Sequence, residues 1–236
     1  MNYFLQTLKR QLRISGILLR HTLSAQFSMN ASIQALRVPN LLLSPIIYID
    51  PRNIAWAASV AVKPERGNRL FQSGDWDLSK RSMLEVETRD PKYTTCRQIL
   101  HEGKGPEETD EFQMIKEAIL CNGSYRGCYN SDDARAHMRA RIEFYRMIAE
   151  SGYKSQQELV GGSPFVGEIQ CAIDRHGNLI KINAGNHRFA VARQLALKSI
   201  PVYVCLVHDS HRSIIERNGG LSALRQLIKD VEKRYA

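Results

Sequence analysis

A turn of small residues followed by a histidine-arginine pair is the segment best suited to chemistry in this sequence. Residues 183–188 read Asn-Ala-Gly-Asn-His-Arg and open onto a helix-like run, between two strand-like segments at 168–174 and 200–207. Free backbone N–H groups, the positive end of the helix dipole and two basic side chains meet at such a helix start. The segment therefore predicts an anion site, and phosphate is the anion most often bound in this way.

A phosphate-transferring site also needs a base for the acceptor hydroxyl and a carboxylate for magnesium. Glu168 opens the strand that leads toward the turn, and we take it as the first candidate for the base. The alternative is an exposed glutamate on an edge strand. Asn183 and Asn186 flank the turn, where they either orient a metal-bound water or substrate, or satisfy their own backbone.

Asp75 and Asp77 are alternative carboxylates for a metal or for a sugar hydroxyl. Two residues apart in an extended chain, they would share one face, with the intervening tryptophan on the other. A helix cap beside a buried tryptophan explains the same residues. His208 and His211 follow the last strand-like run, either at its ligand-facing end or as solvated loop histidines.

Hydrophobic periodicity predicts the elements that position these residues. A helix ends where Gly152 follows its last periodic residue, and residues 131–133 offer a helix cap. The fold expected is α+β, a small mixed sheet with packed helices and an N-terminal amphipathic helix. The predicted strands are 40–50, 168–174, 179–183 and 200–207, the predicted helices are 107–119, 134–150, 187–197 and 221–235, and 64–81 is predicted to be a polar loop.

Composition favours a folded chain with an anionic partner. The 236 residues are 43% hydrophobic and 24% charged, with a net charge of +9. This charge suits a nucleotide, a nucleic acid, an acidic glycan or a membrane surface. The five cysteines contain no C-x-x-C pair, which argues against a zinc ribbon and favours a reducing, cytoplasmic location. No apolar run reaches the length of about 18 residues that a membrane span needs.

The N-terminal region is predicted to be separate from the rest. Residues 3–27 form a basic amphipathic pattern, and no acidic residue precedes Asp50. This helix either lies on an anionic membrane, at its inner face, or packs on its own domain. We divide the chain into a basic segment at 1–38 and a domain at 39–236, with a helical insertion at about 90–150.

The last third of the chain resembles the ParB/sulfiredoxin-like superfamily. The resemblance lies in a D-x-x-G turn at 174–177, G-x-H-R at 185–188, small residues before Leu195, and I-P-V-x-V at 200–204. A looser resemblance over 74–208, which includes Gly-Asp-Trp-Asp, is to an uncharacterised ParB-like subgroup. That subgroup is associated with surface-polysaccharide and glycosyl-transfer neighbourhoods.

The superfamily resemblance implies a nucleotide ligand: ATP, ADP or CTP. It implies that Gly185 lets the phosphate approach the backbone and that His187 and Arg188 contact phosphate oxygens. Two departures narrow the function. Asn186 stands where sulfiredoxins carry their reactive cysteine, which argues against sulfinic-acid reduction. The chain has no helix-turn-helix region after the motif, which argues against the DNA loading of partition proteins.

The expected function is therefore a nucleotide-dependent, kinase-like phosphotransferase. Its acceptor would be a small-molecule or glycan hydroxyl, with His187 and Glu168 as catalytic residues. Magnesium would be held with help from Asp75, Asp77 or Asn183. The first alternative is a nucleotide-sensing module without turnover. Nucleic-acid binding or nicking ranks last, because no aromatic stripe accompanies the basic residues.

Overall fold

Seven strands in the described part of the chain form one mixed sheet. The computed structural model describes residues 46–62, 70–155, 158–159, 167–182 and 184–236. The strands are β1 Ile46–Ile49, β2 Trp56–Ala58, β3 Phe71–Gln72, β4 Lys80–Ser82, β5 Gln170–Ile173, β6 Leu179–Lys181 and β7 Ile200–His208. The sheet order is β1-β7-β5-β6-β2-β4, and β3 also pairs with β7.

Seven helices accompany this sheet within the described residues. They are α1 Met83–Arg89, α2 Pro91–Leu100, α3 Asp110–Asn122, α4 Ser131–Ser151, α5 Asn186–Gln194, α6 Arg212–Arg217 and α7 Leu221–Tyr235. Short 3-10 segments lie at Pro51–Asn53, Pro106–Glu108 and Asp209–His211. The expected α+β class with a mixed sheet is confirmed.

Strand β7 pairs with three other strands, β1, β3 and β5, and the β5–β6 hairpin lies beside it. All nine residues of β7 are buried, as expected for a strand paired on both sides. β5 runs parallel to β7 and antiparallel to β6, with Cys171 opposite Lys181. The hairpin therefore has a closed tip at residues 174–178 and an open end, where β6 leads directly into α5.

Local sequence explains where the helices near the site begin. Asp90 caps α2, and Pro91 takes its first position, where a missing N–H costs nothing. The Thr109 hydroxyl caps α3. The cap of α4 was predicted one residue too late. Asn130, rather than Ser131, accepts the free N–H groups there, because its amide oxygen reaches two of them.

The larger hydrophobic core joins one face of the sheet to the helices. Its buried residues include Ile173 and Val207 from the strands and Phe189 from α5. Helix α7 adds an apolar stripe at Leu224, Ile228, Val231 and Tyr235. A smaller buried cluster on the hairpin and β7 includes Ala172, Ile180 and Leu206. Side chains of this size stabilise a fold by about 1.5–3 kcal/mol each when fully buried.

Several predicted boundaries need correction. The strand predicted at 40–50 is present as β1 over its described part. The described residues of the predicted loop 64–81 contain β3 and the start of β4, because short backbone pairing to β7 and β2 orders this polar segment. Residues 3–27 and the boundary at 38 lie outside the described residues. Within the described ranges, no helix is both long and apolar enough to cross a membrane.

Candidate functional site

Gly185 turns the chain from β6 into α5. Its φ of +84° lies in the left-handed region, which glycine adopts without the penalty of a side chain. A Cβ at this position would lie 2.7 Å from the Cα of Ile169 and 2.9 Å from its Cγ1. The fold alone therefore requires glycine here, because the turn packs directly against the backbone that enters β5. The role of Gly185 in the approach of a phosphate stays a prediction.

The buried side chain of Lys181 forms hydrogen bonds to the turn that contains Gly185. The Nζ of Lys181 donates to the carbonyl oxygens of Ile182 and Ala184 and to Oδ1 of Asn186, at 2.6, 2.7 and 2.9 Å. Burial lowers the pKa of Lys181 to about 8. Asn186, one of the predicted ligand residues, thus uses its amide oxygen inside the protein. Asn183, the other predicted asparagine, lies outside the described residues.

His187 forms a buried pair with a carboxylate from another helix. Its Nε2 lies 2.8 and 3.0 Å from the two carboxylate oxygens of Glu111, in the first turn of α3. Burial alone would raise the pKa of Glu111, but the hydrogen bond from His187 and the charge of Arg141 lower it. Burial lowers the pKa of His187, against the opposing effect of Glu111. The pair is therefore a carboxylate bound to a neutral imidazole near pH 7.

Two polar atoms beside this pair lack partners. The hydroxyl of Tyr145 and the Nε of Arg141 are buried and have no hydrogen-bond partner among the described residues. The Tyr145 and His187 rings lie 6.4 Å apart between centroids. Burial raises the pKa of Tyr145 well above its usual value, with nearby Cys96 and Glu111 adding to the effect, so its hydroxyl stays a donor. Unpaired buried donors of this kind point to an acceptor that the described residues do not supply.

Arg188 forms a second buried network with Glu168 and Tyr153. Its Nη1 donates to Glu168 Oε1 at 2.9 Å and to the Tyr153 hydroxyl at 3.2 Å. The Tyr153 hydroxyl and the backbone N–H of Ile169 also donate to Glu168 Oε1, at 2.8 and 3.0 Å. Glu168 is 0% exposed, so the alternative of an exposed edge-strand glutamate is wrong. One oxygen of the predicted base therefore already accepts three hydrogen bonds, one of them from a cation.

The first turns of three helices contribute to the site around His187. Lys92, Glu111 and His187 each occupy the second position of their helix, α2, α3 and α5 respectively. Lys92 and Arg141 both lie close enough to His187 to lower its pKa. Neither has an ion-pair partner among the described residues. With the helix dipoles, these free cations give the start of α5 a positive potential that favours an anion.

An apolar cleft adjoins Arg188 on the side of α4. Its volume is about 160 Å³, and Phe144, Met147, Ile148 and Leu159 supply its apolar walls. Arg188 and Lys154 supply its cations. Cavities of this size accept a group about as large as one aromatic ring. The cleft therefore places room for a small apolar group next to the cationic start of α5.

Asp75 and Asp77 lie at the opposite end of the hairpin. Both contact Arg175 in the hairpin tip, with the Arg175 Nη2 at 2.8 Å from Asp75 Oδ1 and 2.7 Å from Asp77 Oδ1. At about 3.3 Å per strand residue, the tip lies roughly 20 Å from Glu168. The structure therefore does not bring this acidic pair to the turn at Gly185. Trp76 is half-buried against the smaller cluster.

The two histidines after β7 also belong to the hairpin-tip end. His208 Nε2 lies 3.0 Å from the Gly74 carbonyl oxygen, and its Nδ1 accepts from the Ser210 N–H at 3.1 Å. His211 Nε2 lies 2.8 Å from the carbonyl oxygen of Asp174. Both rings hold loops together, so neither is a freely solvated loop histidine. Among the described residues, no group of three or more His, Cys, Asp or Glu side chains is placed to hold a metal ion.

The ion pair of Asp77 predicts an acid-sensitive contribution to stability. Burial alone would raise the pKa of Asp77, but hydrogen bonds from the side chain and backbone of Arg175 lower it to about 2. Its folded pKa is thus below its unfolded value, and the stabilisation is present above pH 4 and lost toward pH 2. We expect Asp77→Asn to lower the free energy of unfolding at pH 7 by about 2–3 kcal/mol, and to flatten the decline in acid.

Urea unfolding at several pH values measures this effect. Asp75→Asn is the matched control, because Asp75 contacts the same arginine but its side chain is 77% exposed. Exposed ion pairs contribute about 0–1 kcal/mol. Equal losses in the two variants, or an unchanged acid decline in Asp77→Asn, would contradict the assignment.

The sequence interpretation missed several residues that form the site. They are Lys92, Glu111, Arg141, Tyr145, Tyr153 and Lys181. Glu111 and Arg141 carried a usable signal, since each is a charged residue close to the apolar stripe of a predicted helix. Lys181 carried another, as a charged residue inside a strand-like run. The sequence around these three residues did not indicate which side chains they contact.

Comparisons with known proteins provide no assignment. No family model matches the chain, and neither curated proteins nor solved structures gave a significant match.

Proposed function

We propose that this protein binds the phosphates of a nucleotide at the start of α5 and transfers a phosphoryl group to a hydroxyl. The nucleotide would be ATP, ADP or CTP, and the acceptor a small molecule or a glycan. The observation that carries the proposal is the set of unpaired donors around His187. The resemblance to nucleotide-binding relatives of the ParB/sulfiredoxin-like superfamily supports the same ligand.

Three basic side chains are available to phosphate oxygens. Lys92 and Arg141 have no ion-pair partner among the described residues, and Arg188 uses only its Nη1 atom in the network with Glu168. The backbone N–H groups at the start of α5 add donors that a helix leaves unpaired at this position. In this arrangement Arg188 contacts phosphate through its other nitrogens, while Gly185 and Asn186 shape the turn.

The described carboxylates do not fit a protein-held magnesium ion at this site. Glu111 is bound to His187 and Glu168 to Arg188. Asp75 and Asp77 are bound to Arg175 at the far end of the hairpin. No step of the proposed reaction uses a metal held by these residues.

The cellular setting is a further part of the proposal. The five cysteines are free thiols, four of them buried, in agreement with the reducing cytoplasm suggested by their spacing. Contact of residues 3–27 with an anionic membrane rests on the sequence pattern alone. Flotation with anionic vesicles, comparing the full chain with one that lacks residues 1–28, tests that contact.

Binding without turnover is the second candidate function. The observation that favours it concerns Glu168, the predicted base. Its carboxylate is already hydrogen-bonded to Arg188 and Tyr153. A site whose two described carboxylates, Glu111 and Glu168, are both engaged by basic side chains can sense a nucleotide and leave it unchanged. The two candidates share the same phosphate site and differ only in whether product appears.

We expect a nucleotide to raise the melting temperature, and Arg141→Ala and Lys92→Ala to reduce that rise. At a ligand concentration of about 100 times Kd, wild-type protein should gain roughly 5–10 °C. A lost charged hydrogen bond of about 1.5–3 kcal/mol corresponds to roughly a 10- to 100-fold weaker Kd. Thermal shift with ATP, ADP, CTP and tripolyphosphate measures both effects.

Two controls separate a site from general positive charge. The control variants are Arg139→Ala and Lys229→Ala. Arg139 lies on the same helix as Arg141, Lys229 lies on α7, and both side chains are exposed. Neither variant should change the melting response. The phosphate site is wrong if no compound raises the melting temperature, or if the control variants weaken it as much as the site variants. Nucleotide turnover with a panel of sugars and amino acids then distinguishes transfer from sensing.

A further inference from the structure

The side chains of His187 and Glu111 form a buried pair whose position is fixed by the surrounding helices. Glu111 is 1% exposed and the side chain of His187 is 12% exposed, so the pair is held in place by its surroundings. The backbone N–H of Glu111 donates to the Thr95 hydroxyl at 2.8 Å, which ties the start of α3 to α2. The carboxylate therefore reaches His187 from a fixed position.

The hydrogen bond determines which imidazole nitrogen is free. An ionised carboxylate only accepts hydrogen bonds, so the Nε2 of His187 carries a hydrogen and donates a hydrogen bond to Glu111. The Nδ1 of His187 is then a lone-pair acceptor. It has no hydrogen-bond partner among the described residues. A carboxylate that holds one imidazole nitrogen and leaves the other free is an arrangement used for proton transfer.

We propose that His187 is the proton acceptor for the substrate hydroxyl and that Glu111 is its positioning residue. This inference rests on the proposed phosphoryl transfer. It assigns to His187 the role that the sequence analysis gave to Glu168.

The reaction moves one proton and one phosphoryl group. The acceptor hydroxyl gives its proton to Nδ1 of His187, and its oxygen forms a bond to the terminal phosphorus of the nucleotide. The bond between that phosphorus and the bridging oxygen breaks, and its electron pair leaves with the shortened nucleotide. Glu111 stabilises the imidazolium that results, because its carboxylate already bonds the opposite nitrogen.

Several groups influence the protonation of His187. Glu111 on α3 raises its pKa, whereas burial, Arg141 on α4 and Lys92 on α2 lower it. His137 and Tyr145 on α4 lie near Glu111 and complete the surroundings. An imidazole that is neutral near pH 7 is available to accept a proton.

The first test is the tautomer of His187 in the free protein. Long-range nitrogen–proton NMR spectra of ¹⁵N-labelled protein separate Nδ1–H from Nε2–H histidines, and the His187→Gln spectrum assigns the resonance. We expect the Nε2–H form at pH 7.5. The Nδ1–H form as the main species would overturn the proposal, whatever the protein does with nucleotides.

The second test uses turnover of ATP with the acceptor panel. Glu111→Gln should lower kcat about 10- to 100-fold with little change in KM for ATP, and should move the acid limb of the pH profile to lower pH. His187→Gln should lower kcat about 100- to 10,000-fold, the range of general-base catalysis. Glu117→Gln, an exposed glutamate on the same helix, is the control and should behave as wild type.

The outcomes distinguish the inference from the proposed function. If ATP binds and turns over, but Glu111→Gln leaves both kcat and the acid limb unchanged, the role of Glu111 is wrong and phosphoryl transfer stands. If ATP binds and no acceptor is phosphorylated, transfer and the proton-acceptor role fail together and sensing remains. If no nucleotide binds, the proposed function fails, and with it the inference.

Discussion

Gly185→Ala should lower the free energy of unfolding by about 3–5 kcal/mol, one of the largest effects expected of a single methyl group in this chain. Two costs add. A left-handed φ of +84° strains any residue with a side chain, and the new Cβ would meet the Ile169 backbone at 2.7 Å. A backbone atom cannot move aside as the end of a flexible side chain can, so β5 and α5 would have to separate.

Gly177→Ala is the matched control for this prediction. Gly177 has nearly the same φ, +80°, but a Cβ there would meet nothing within 4 Å. It should cost only the conformational part, about 1–2 kcal/mol. Urea unfolding of the two variants beside wild type measures the difference, which isolates the contact with Ile169. Equal costs would mean that the turn and β5 are not packed as described.

The packing of Gly185 gives a structural reason for a glycine before a helix start. Glycine before a helix start is often taken as a sign that a ligand approaches the backbone. Here the space that a side chain would occupy is already filled by Ile169 of the same fold. The residues of this region that remain available to an anion are the unpaired cations, Lys92 and Arg141 above all.

Elements with strong local signals were predictable from the sequence. The β5–β6 hairpin, the helix after Gly185, the apolar strand β7 and the closing helix α7 all appear within a few residues of their predicted ranges. Periodicity and turn residues are local properties, so they act before any partner is known. The cap of α4 was displaced by one residue because Asn and Ser both suit that role.

The partners within the site were not predictable in the same way. Glu111 and His187 are 76 residues apart in the sequence, and Asp77 and Arg175 are 98 apart. Each pair is brought together by the packing of complete elements, and neither spacing nor residue type indicates which carboxylate meets which cation. The acidic residues at 75–77 and the turn before α5 were for that reason assigned to one site, although they lie at opposite ends of the hairpin.

Glu168→Ala should be as destabilising as Gly185→Ala, by about 3–5 kcal/mol, because it leaves the buried charge of Arg188 without its partner. Glu168 is 0% and Arg188 7% exposed, so water does not readily replace the lost contact. Arg188→Met should cost a similar amount for the converse reason. Tyr153→Phe, which removes only a hydroxyl from the network, should cost about 1 kcal/mol.

The double variant Glu168→Ala with Arg188→Met decides between a structural pair and an independent base. Once both charges are gone, neither is buried alone, so the double variant should be more stable than the sum of the single losses implies, by about 2–4 kcal/mol. Urea unfolding of the four proteins completes the cycle. Additive losses, or a loss below about 1 kcal/mol for Glu168→Ala, would show that Glu168 is not engaged by Arg188 and would return it to the role of base. Strong coupling between the two substitutions would mean that any turnover lost in Glu168→Ala results from a disturbed start of α5. The substitution that tests the proton transfer is then the one at His187.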